Sequence, residues 1–442
     1  MKNNMIMEYA LLGGFYILSA WLILSLCYMA YQRKPFSFHL LFSVIYFVTF
    51  YLGFPLSLTL SLGFDVELQS TDNLLLTLFS ALSGYLIYYA IYHSSLLSRV
   101  DTRQQAVEFP QKFAKFEAKV TAYLLAGVAT ASLVAFIAMN GLLLFKLTQY
   151  NQIFSAAVSG VALKRFFYFF IPALLIMFFL SNNKKAWVTF LICGVAFGVL
   201  TYLAVGGTRA NIALAFVLFL FIGLYKRYLS FKWLVMAGVA MIGAMFVLAL
   251  VRYGLNVSGK EALFTFLYLT RDTFSPWENV ALILDQPMEH QGLMPIVRDF
   301  YVYIPKWLWL DRPDYVLNTA NYFTWEILGN FSGLAISPTL LGSFYIMGGF
   351  PMIALGMAFI GLLIKAFDRL LDYGITDSQC SKAAIIQAYC FANVFNIIVL
   401  VREGSDAFFS RFGFFSVTFA LCWGIAYLVS SLANNIKHIK EG

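Results

Sequence analysis

Arginine recurs where apolar segments end. Lys164-Arg165 opens one segment, Gly206-Gly207-Thr208-Arg209 closes another, Arg252 follows a third, and Arg402-Glu403-Gly404 with Arg411 bracket the turn between the last two. A guanidinium is planar, stays charged at physiological pH, and offers paired N–H donors that match the oxygens of a phosphate. Gly206 and Gly207 lack a Cβ, so backbone N–H groups there are open to an anion. An isolated arginine at a bilayer edge needs no more explanation than snorkelling to lipid headgroups. Five such positions facing one leaflet favour a shared anionic site. A lipid-linked pyrophosphate suits that site, because its phosphates lie at headgroup depth.

Those arginines need elements that hold them at one depth. Of 442 residues, 61% are apolar and 12% charged, about half the charged share of a soluble domain, which excludes a soluble globular protein. Breaks in charge divide the sequence into about eleven apolar spans, each near the ~20 residues that cross a bilayer. They lie near 9–31, 37–61, 73–93, 120–143, 165–181, 187–205, 210–225, 233–251, 336–366, 383–401 and 408–429. The fold class is therefore an all-α polytopic membrane protein. Spans fill 1–251 and, with a tail, 336–442, and one large loop, 252–335, separates the eighth span from the ninth. The first span ends in Gln32-Arg33-Lys34 rather than a small-residue cleavage site, so it reads as an anchor and not a signal peptide. Placing Arg33 and Lys34 in the cytoplasm puts the N-terminus outside and the C-terminus inside. Most of the 30 Lys and Arg then gather inside, as the positive-inside rule requires. The net charge of +8 thus belongs to loop topology, not to a nucleic-acid partner. Segment 336–366 is interrupted by Gly348-Gly349-Phe350-Pro351. It is too short for two crossings, which need about 40 residues, so one tilted or broken helix is expected.

The loop 252–335 is long for a connection without function. It holds Trp277, Trp307, Trp309 and Trp325, half of the eight tryptophans, interleaved with Arg271, Arg298, Arg312, Asp272, Asp299, Glu278 and Glu326. Aromatic faces beside carboxylates and guanidinium groups suit sugar rings, which have apolar C–H faces and hydroxyl edges. Trp and Tyr also serve as interfacial anchors, and Pro295 to Leu310 reads as an amphipathic helix lying on the membrane. Asn393 and Asn396, near Arg402, read as packing amides. Cys27, Cys193, Cys380, Cys390 and Cys422 avoid the loop, so it has no disulfide framework. Outside, His290 stands alone. There is no H-E-x-x-H, no Cys/His ligand spacing and no Walker-type phosphate loop, which argues against a zinc hydrolase or an ATP-driven pump. No metal or cofactor is expected.

Four strings go further: Val205-Gly206-Gly207-Thr208-Arg209-Ala210-Asn211, the run from Val161 through Lys164-Arg165-Phe166-Phe167-Tyr168 to Pro172, Leu269-Thr270-Arg271-Asp272-Thr273-Phe274-Ser275-Pro276-Trp277-Glu278-Asn279, and Ala320-Asn321-Tyr322-Phe323-Thr324-Trp325-Glu326. Together they resemble the Wzy-type polymerases of enterobacterial common antigen over nearly the whole chain. The resemblance implies a GT-C-like glycosyltransferase of the inner membrane. It would move a growing polysaccharide from undecaprenyl pyrophosphate onto an incoming lipid-linked trisaccharide of N-acetylglucosamine, N-acetylmannosaminuronic acid and 4-acetamido-4,6-dideoxygalactose. It also implies a Wzz-type chain-length regulator and a Wzx-type flippase as partners, and no nucleotide sugar at this step.

That chemistry assigns roles to the residues. Departure of a pyrophosphate needs its developing charge neutralised, which fixed cations do without a metal. Arg165, Arg209, Arg402 and Arg411 are the candidates, with Arg271 reaching in from the loop. The acceptor hydroxyl needs a carboxylate to take its proton. Asp299 and Glu403 come first, since each adjoins an arginine beside an aromatic or span-end segment, ahead of Asp272 and Glu326. Arg298, Trp277, Trp325 and Glu326 are candidate sugar contacts, and Arg298 or Arg312 suits the uronic acid. A flippase or transporter for the same lipid-linked sugar would need mid-span ionisable groups, and none stands out. A ligase with the same donor would differ only in its acceptor, and a non-catalytic scaffold would tolerate loss of single arginines.

Overall fold

The computed structural model describes residues 2–34, 36–96, 111–146, 158–206, 210–230, 257–304, 308–311, 313, 316–331, 335–376 and 381–441, with scattered positions between 232 and 247. All regular structure among them is helical. Among the described residues, nine helices are long and apolar enough to cross a membrane. A further apolar helix, Ala210–Tyr225, has only 16 residues, and the expected span at 233–251 falls largely outside the described residues. Of the about eleven spans expected, nine have helices of spanning length and composition among the described residues.

In chain order the helices are α1 (Lys2–Arg33), α2 (Phe38–Phe50), α3 (Gly53–Phe64), α4 (Thr71–His93), α5 (Gln111–Asn140), α6 (Phe170–Ser181), α7 (Lys184–Val205), α8 (Ala210–Tyr225), α9 (Gly259–Phe274), α10 (Glu278–Asp285), α11 (Met294–Phe300), α12 (Thr319–Tyr322), α13 (Thr339–Thr376), α14 (Ser381–Ala392), α15 (Val394–Arg402) and α16 (Ser405–Glu441). Side-chain oxygens start several of them. Ser37 accepts from the Leu40 N–H ahead of α2, Ser70 from Asn73 ahead of α4, and Asn183 from Ala186 ahead of α7, each satisfying a donor the helix cannot. Gly206 ends α7 at φ 80°, a left-handed cap that favours glycine.

Three spans are broken, and the breaks carry the contacts that matter. The segment 336–366 is one helix, α13, interrupted by non-helical backbone at Gly348 and Gly349, as its Gly-Gly-Phe-Pro string leads one to expect. The break turns the Ile346 and Met347 carbonyls outward, where they accept the N–H groups of Gln291 (3.0 Å) and Gly292 (2.9 Å). The span 383–401 divides into α14 and α15 at Asn393. Asn396 donates to the Asn393 side chain and Asn393 to the Tyr389 carbonyl, so these amides close the break within their own segment.

The third break separates α2 from α3, and residues 275–277 plug it. The Ser275 hydroxyl donates to the Thr49 carbonyl at 2.7 Å and accepts from the Gly53 N–H at 2.8 Å. The Trp277 indole is 1% exposed, lies 5.7 Å from the Phe54 ring and donates to Ser57. A Cβ at Gly53 would sit 2.3 Å from the indole, so only glycine fits there. The sequence-based sugar contact at Trp277 is corrected accordingly: a fully enclosed ring offers no face to a sugar. Trp277→Ala is expected to lower stability by about 3–5 kcal/mol, the range for emptying a large aromatic site, read as a fall in the midpoint of thermal unfolding in detergent.

The remaining pieces of 257–337 pack on the same end of the bundle. α9 lies on α3, α10 on α4 and α13, α11 on α16, and α12 against α13. The amphipathic helix expected over 295–310 is shorter than that. α11 ends at Phe300, continues as a single tight turn over Tyr301–Tyr303, and residues 305–307 lie outside the described set. At the other end of the bundle Asp368 of α13, buried, accepts the Phe38 and His39 N–H groups and the Tyr92 hydroxyl. That carboxylate caps α2, and Lys34 and Asp372 pair beside it.

Candidate active site

Arg165 is placed by aromatic packing. It lies on a tight 3-10 segment, Val161–Phe169, that leads into α6. Such a segment has three residues per turn, so Phe166 and Phe169 share a face. Both rings meet Phe414 of α16, with centroids 5.0 and 6.1 Å away. Tyr303 stacks on the same Phe414 at 4.7 Å. One phenylalanine therefore sets the 3-10 segment and the end of the α11 turn side by side. The Arg165 guanidinium carbon lies 3.9 Å from the centre of the Tyr303 ring, a cation–π contact that fixes the plane of the fork.

Asp299 sits one helical turn before Tyr303 and is 9% exposed. Its two oxygens accept from different elements: Oδ1 from the Asn318 amide at 2.7 Å, and Oδ2 from the Ser410 hydroxyl of α16. Asn318 also caps α12 by accepting from the Asn321 N–H. The next residue, Thr319, donates its N–H (2.7 Å) and its hydroxyl (2.8 Å) to Asp406, 1% exposed in the first turn of α16. A hydrogen-bonded chain from Asp299 through Asn318 and Thr319 to Asp406 thus joins α11, α12 and α16. Burial pushes the Tyr303 phenol up, Arg165, Ser410 and Arg411 pull it down, and Asp299 adds to the rise. Tyr303 keeps its proton at neutral pH, and these four groups are its electrostatic neighbours.

The turn between α15 and α16 supplies the other cations. Arg402, in the last turn of α15, donates Nε to the Thr273 carbonyl at 2.7 Å, and its own carbonyl accepts from Ser337. It holds the end of α9 against the bundle. Gly404 adopts φ 124°, and a Cβ there would lie 3.0 Å from Ser343 and 3.1 Å from Asp406, so the turn depends on glycine. Glu403 accepts from Arg411 at 2.6 Å, with side chains 32% and 41% exposed. Pairs that exposed contribute about 0–1 kcal/mol, so Arg411 can leave Glu403 for a stronger anion at small cost. Arg271 differs. It pairs with Glu278 at 3.2 Å where the side chains are only 12% and 16% exposed, and it packs on Tyr268. Breaking such a pair leaves an uncompensated charge, typically ~3–5 kcal/mol, so Arg271 ties α9 to α10.

The site therefore holds Arg165 against Tyr303 and Asp299 one turn before it, with Arg411 following Ser410, the Asp299 partner, on α16. Glu403 reaches it through Arg411, and Arg402 adjoins through the turn. Arg209, like Arg252, Arg312 and Trp307, lies outside the described residues. Arg298 is half-buried on α11, and its Nη1 has no hydrogen-bond partner among the described residues. Trp325 and Glu326 lie apart from Tyr303, on the wide turn Phe323–Ile327 after α12, with Glu326 exposed. Burial first, then Glu326 and Glu289, raise the Tyr322 phenol, which marks an acidic neighbourhood there. Tyr303, Ser410, Thr319 and Asp406 were not singled out from sequence. The faint signal for Asp406 was an acid in the first turn of a long apolar helix, where the helix dipole favours it. Among the described residues no group of three or more His, Cys, Asp and Glu is arranged to hold a metal ion.

The Arg165 guanidinium beside the protonated Tyr303 phenol, with Arg411 in an exchangeable pair on the neighbouring helix, offers donors suited to an anion. No solved structure matches the chain. Comparison with known families matches residues 5–441 to WzyE, described as an O-antigen assembly polymerase. The family is the enterobacterial common antigen polymerase, a glycosyltransferase-type polymerising enzyme acting on lipid-linked oligosaccharides, so the family indicated by the four sequence strings is the one found. Because that match takes in the 3-10 segment, the broken helices and the whole of 257–337 alike, the chain belongs to the WzyE family of O-antigen assembly polymerases.

Proposed function

We propose that this polymerase holds the pyrophosphate of its lipid-linked donor at Arg165 and Arg411, beside Tyr303, and that Glu403 takes the proton of the acceptor hydroxyl. In the reaction the acceptor oxygen bonds to the donor's anomeric carbon. The bond from that carbon to pyrophosphate breaks, undecaprenyl pyrophosphate leaves with the electron pair, and the hydroxyl proton passes to a carboxylate. Arg411 moves from Glu403 to the phosphate as the donor arrives, which frees Glu403 to act as base. Arg209 joins the pyrophosphate set. Arg402 and Arg271 support it by fixing α9, and Asp299 orients Tyr303 and Ser410. Arg298, Trp325 and Glu326 contact sugar, and Arg298 reads the uronic acid. The N-terminus and the loop 252–335 face the periplasm and the C-terminus the cytoplasm, with a Wzz-type regulator and a Wzx-type flippase as partners.

The observation that carries this reading is the Arg165 guanidinium stacked on the Tyr303 ring, one turn after Asp299, whose partner Ser410 is next to Arg411 on α16. The test is reconstitution in vesicles with a defined undecaprenyl-pyrophosphate-linked trisaccharide. Wild-type protein is expected to give a ladder of polymer lengths, and to give it in EDTA, since the proposed electrostatics comes from side chains. Loss of the ladder in EDTA with recovery on Mg²⁺ would contradict the metal-free scheme.

A further inference from the structure

We propose that the segment Leu293–Ile304 is seated in the lipid surface of the leaflet next to 257–337, and forms the bilayer-facing wall of the phosphate site. The segment has two faces at helical spacing. Pro295 and Asp299 are buried and Tyr303 half-buried, and these three face the bundle. Leu293, Met294, Val297, Phe300 and Ile304 point the other way, with exposures from 36% to 58%. Leu293, Met294 and Val297, each more than 40% exposed, make an apolar outer patch that water does not favour.

The occupant follows from what the segment lies on. α16 has a stripe at positions 410, 414, 417, 421, 425 and 428, the spacing of one helix face. Ser410 and Phe414, at its start, are covered by α11 and its turn through Asp299 and Tyr303. Val417, Leu421, Ile425 and Leu428 continue it bare, each at least 50% exposed, in a helix apolar enough to span a membrane. Those residues face acyl chains. From Ser410 to Val417 is seven residues, about 10 Å at 1.5 Å each, so α11 covers α16 within about that distance of the first bare residue of the stripe. Apolar faces of interfacial helices sink ~5–10 Å into the boundary between headgroups and acyl chains. Arg298 lies on this segment and Arg165 stacks on its Tyr303, cations that suit anionic headgroups as well as a pyrophosphate. Phe300 closes onto α16 at Gly413, where an added Cβ would lie 3.1 Å from its ring, so the wall meets the span without a gap at that point.

The proposal rests on the chain being membrane-spanning, and on the pyrophosphate reading only for the name of the site behind the wall. The test is nitroxide depth measurement at Val297→Cys, in full-length protein whose five native cysteines are replaced by serine or alanine, in phosphatidylethanolamine–phosphatidylglycerol vesicles. Asp272→Cys, on the exposed part of α9, is the water reference, and Leu421→Cys the hydrocarbon reference. The ratio of oxygen to nickel-chelate accessibility at position 297 is expected to exceed that at 272 several-fold and to fall below that at 421. A ratio equal to the one at 272 overturns the proposal. So does low accessibility to both reagents, which would show a second copy or another protein covering the face. Phe300→Cys gives an independent reading should the first variant fold poorly. Adding Arg165→Ala to the labelled protein leaves the ratio unchanged whether or not that arginine binds phosphate, which separates failure of this proposal from failure of the site assignment.

Discussion

Arg165→Ala is expected to slow chain elongation by about 10²- to 10³-fold, the loss found when one preorganised donor to a developing oxyanion is removed. The effect should fall on kcat, because charge on the bridging oxygen grows only as the glycosidic bond breaks, while lipid and sugar contacts that govern KM remain. The stack of the guanidinium on the Tyr303 ring is a cation–π contact, which contributes ~0.5–2 kcal/mol, so its loss should lower stability by about that much. Arg165→Lys should recover part of the rate: the charge returns, but the planar fork that lies against Tyr303 does not. Initial rates on the defined trisaccharide, with unfolding midpoints measured in parallel, decide the matter. A wild-type rate in Arg165→Ala removes this residue from the chemistry.

Glu403→Gln and Asp299→Asn are expected to fail in different ways. Both carboxylates adjoin an arginine in sequence, and composition cannot rank them. The structure separates them by burial and partners. Glu403 is a third exposed and its pairing with Arg411 is cheap to break, so it can meet an incoming hydroxyl. Its amide should lower kcat by about 10²–10⁴, the usual contribution of a positioned base, with an unchanged unfolding midpoint. Asp299 receives a donor on each oxygen, from Asn318 and Ser410. An amide places N–H₂ against one of those donors and leaves it unsatisfied, at ~1–3 kcal/mol. Asp299→Asn should therefore lower the unfolding midpoint first, with activity following. If Asp299→Asn instead loses rate at full stability while Glu403→Gln stays active, the base is Asp299.

Much of this architecture is legible in sequence because a bilayer imposes a length and a polarity on every span. The apolar runs, the interruption at Gly348-Gly349 and the arginines at segment ends can all be read that way. Partner choice cannot. Trp277 and Trp325 look alike in sequence, each beside a glutamate in a polar stretch, yet one fills the gap between α2 and α3 and the other lies on an outer turn. The difference comes from Gly53, more than two hundred residues away, whose missing Cβ makes room for the indole. Arg271 and Arg411 each pair with a glutamate seven or eight residues away. Only burial shows that the first pair is locked and the second can exchange. Tyr303 and Ser410 carry no pattern of their own, and Asp406 only that of an acid in a first helical turn. They matter because α11 and α12 fold back onto the start of α16, a contact between residues about a hundred positions apart.

The most direct test of the central claim is product affinity. Binding of undecaprenyl pyrophosphate and of undecaprenyl monophosphate to wild-type, Arg165→Ala and Arg411→Ala protein in nanodiscs can be measured by titration. Wild-type protein is expected to prefer the pyrophosphate clearly, and each variant to lose most of that preference while binding the monophosphate as before. Equal affinity for the two lipids in wild-type protein, or a preference untouched in both variants, would contradict the assignment of these arginines to the leaving group.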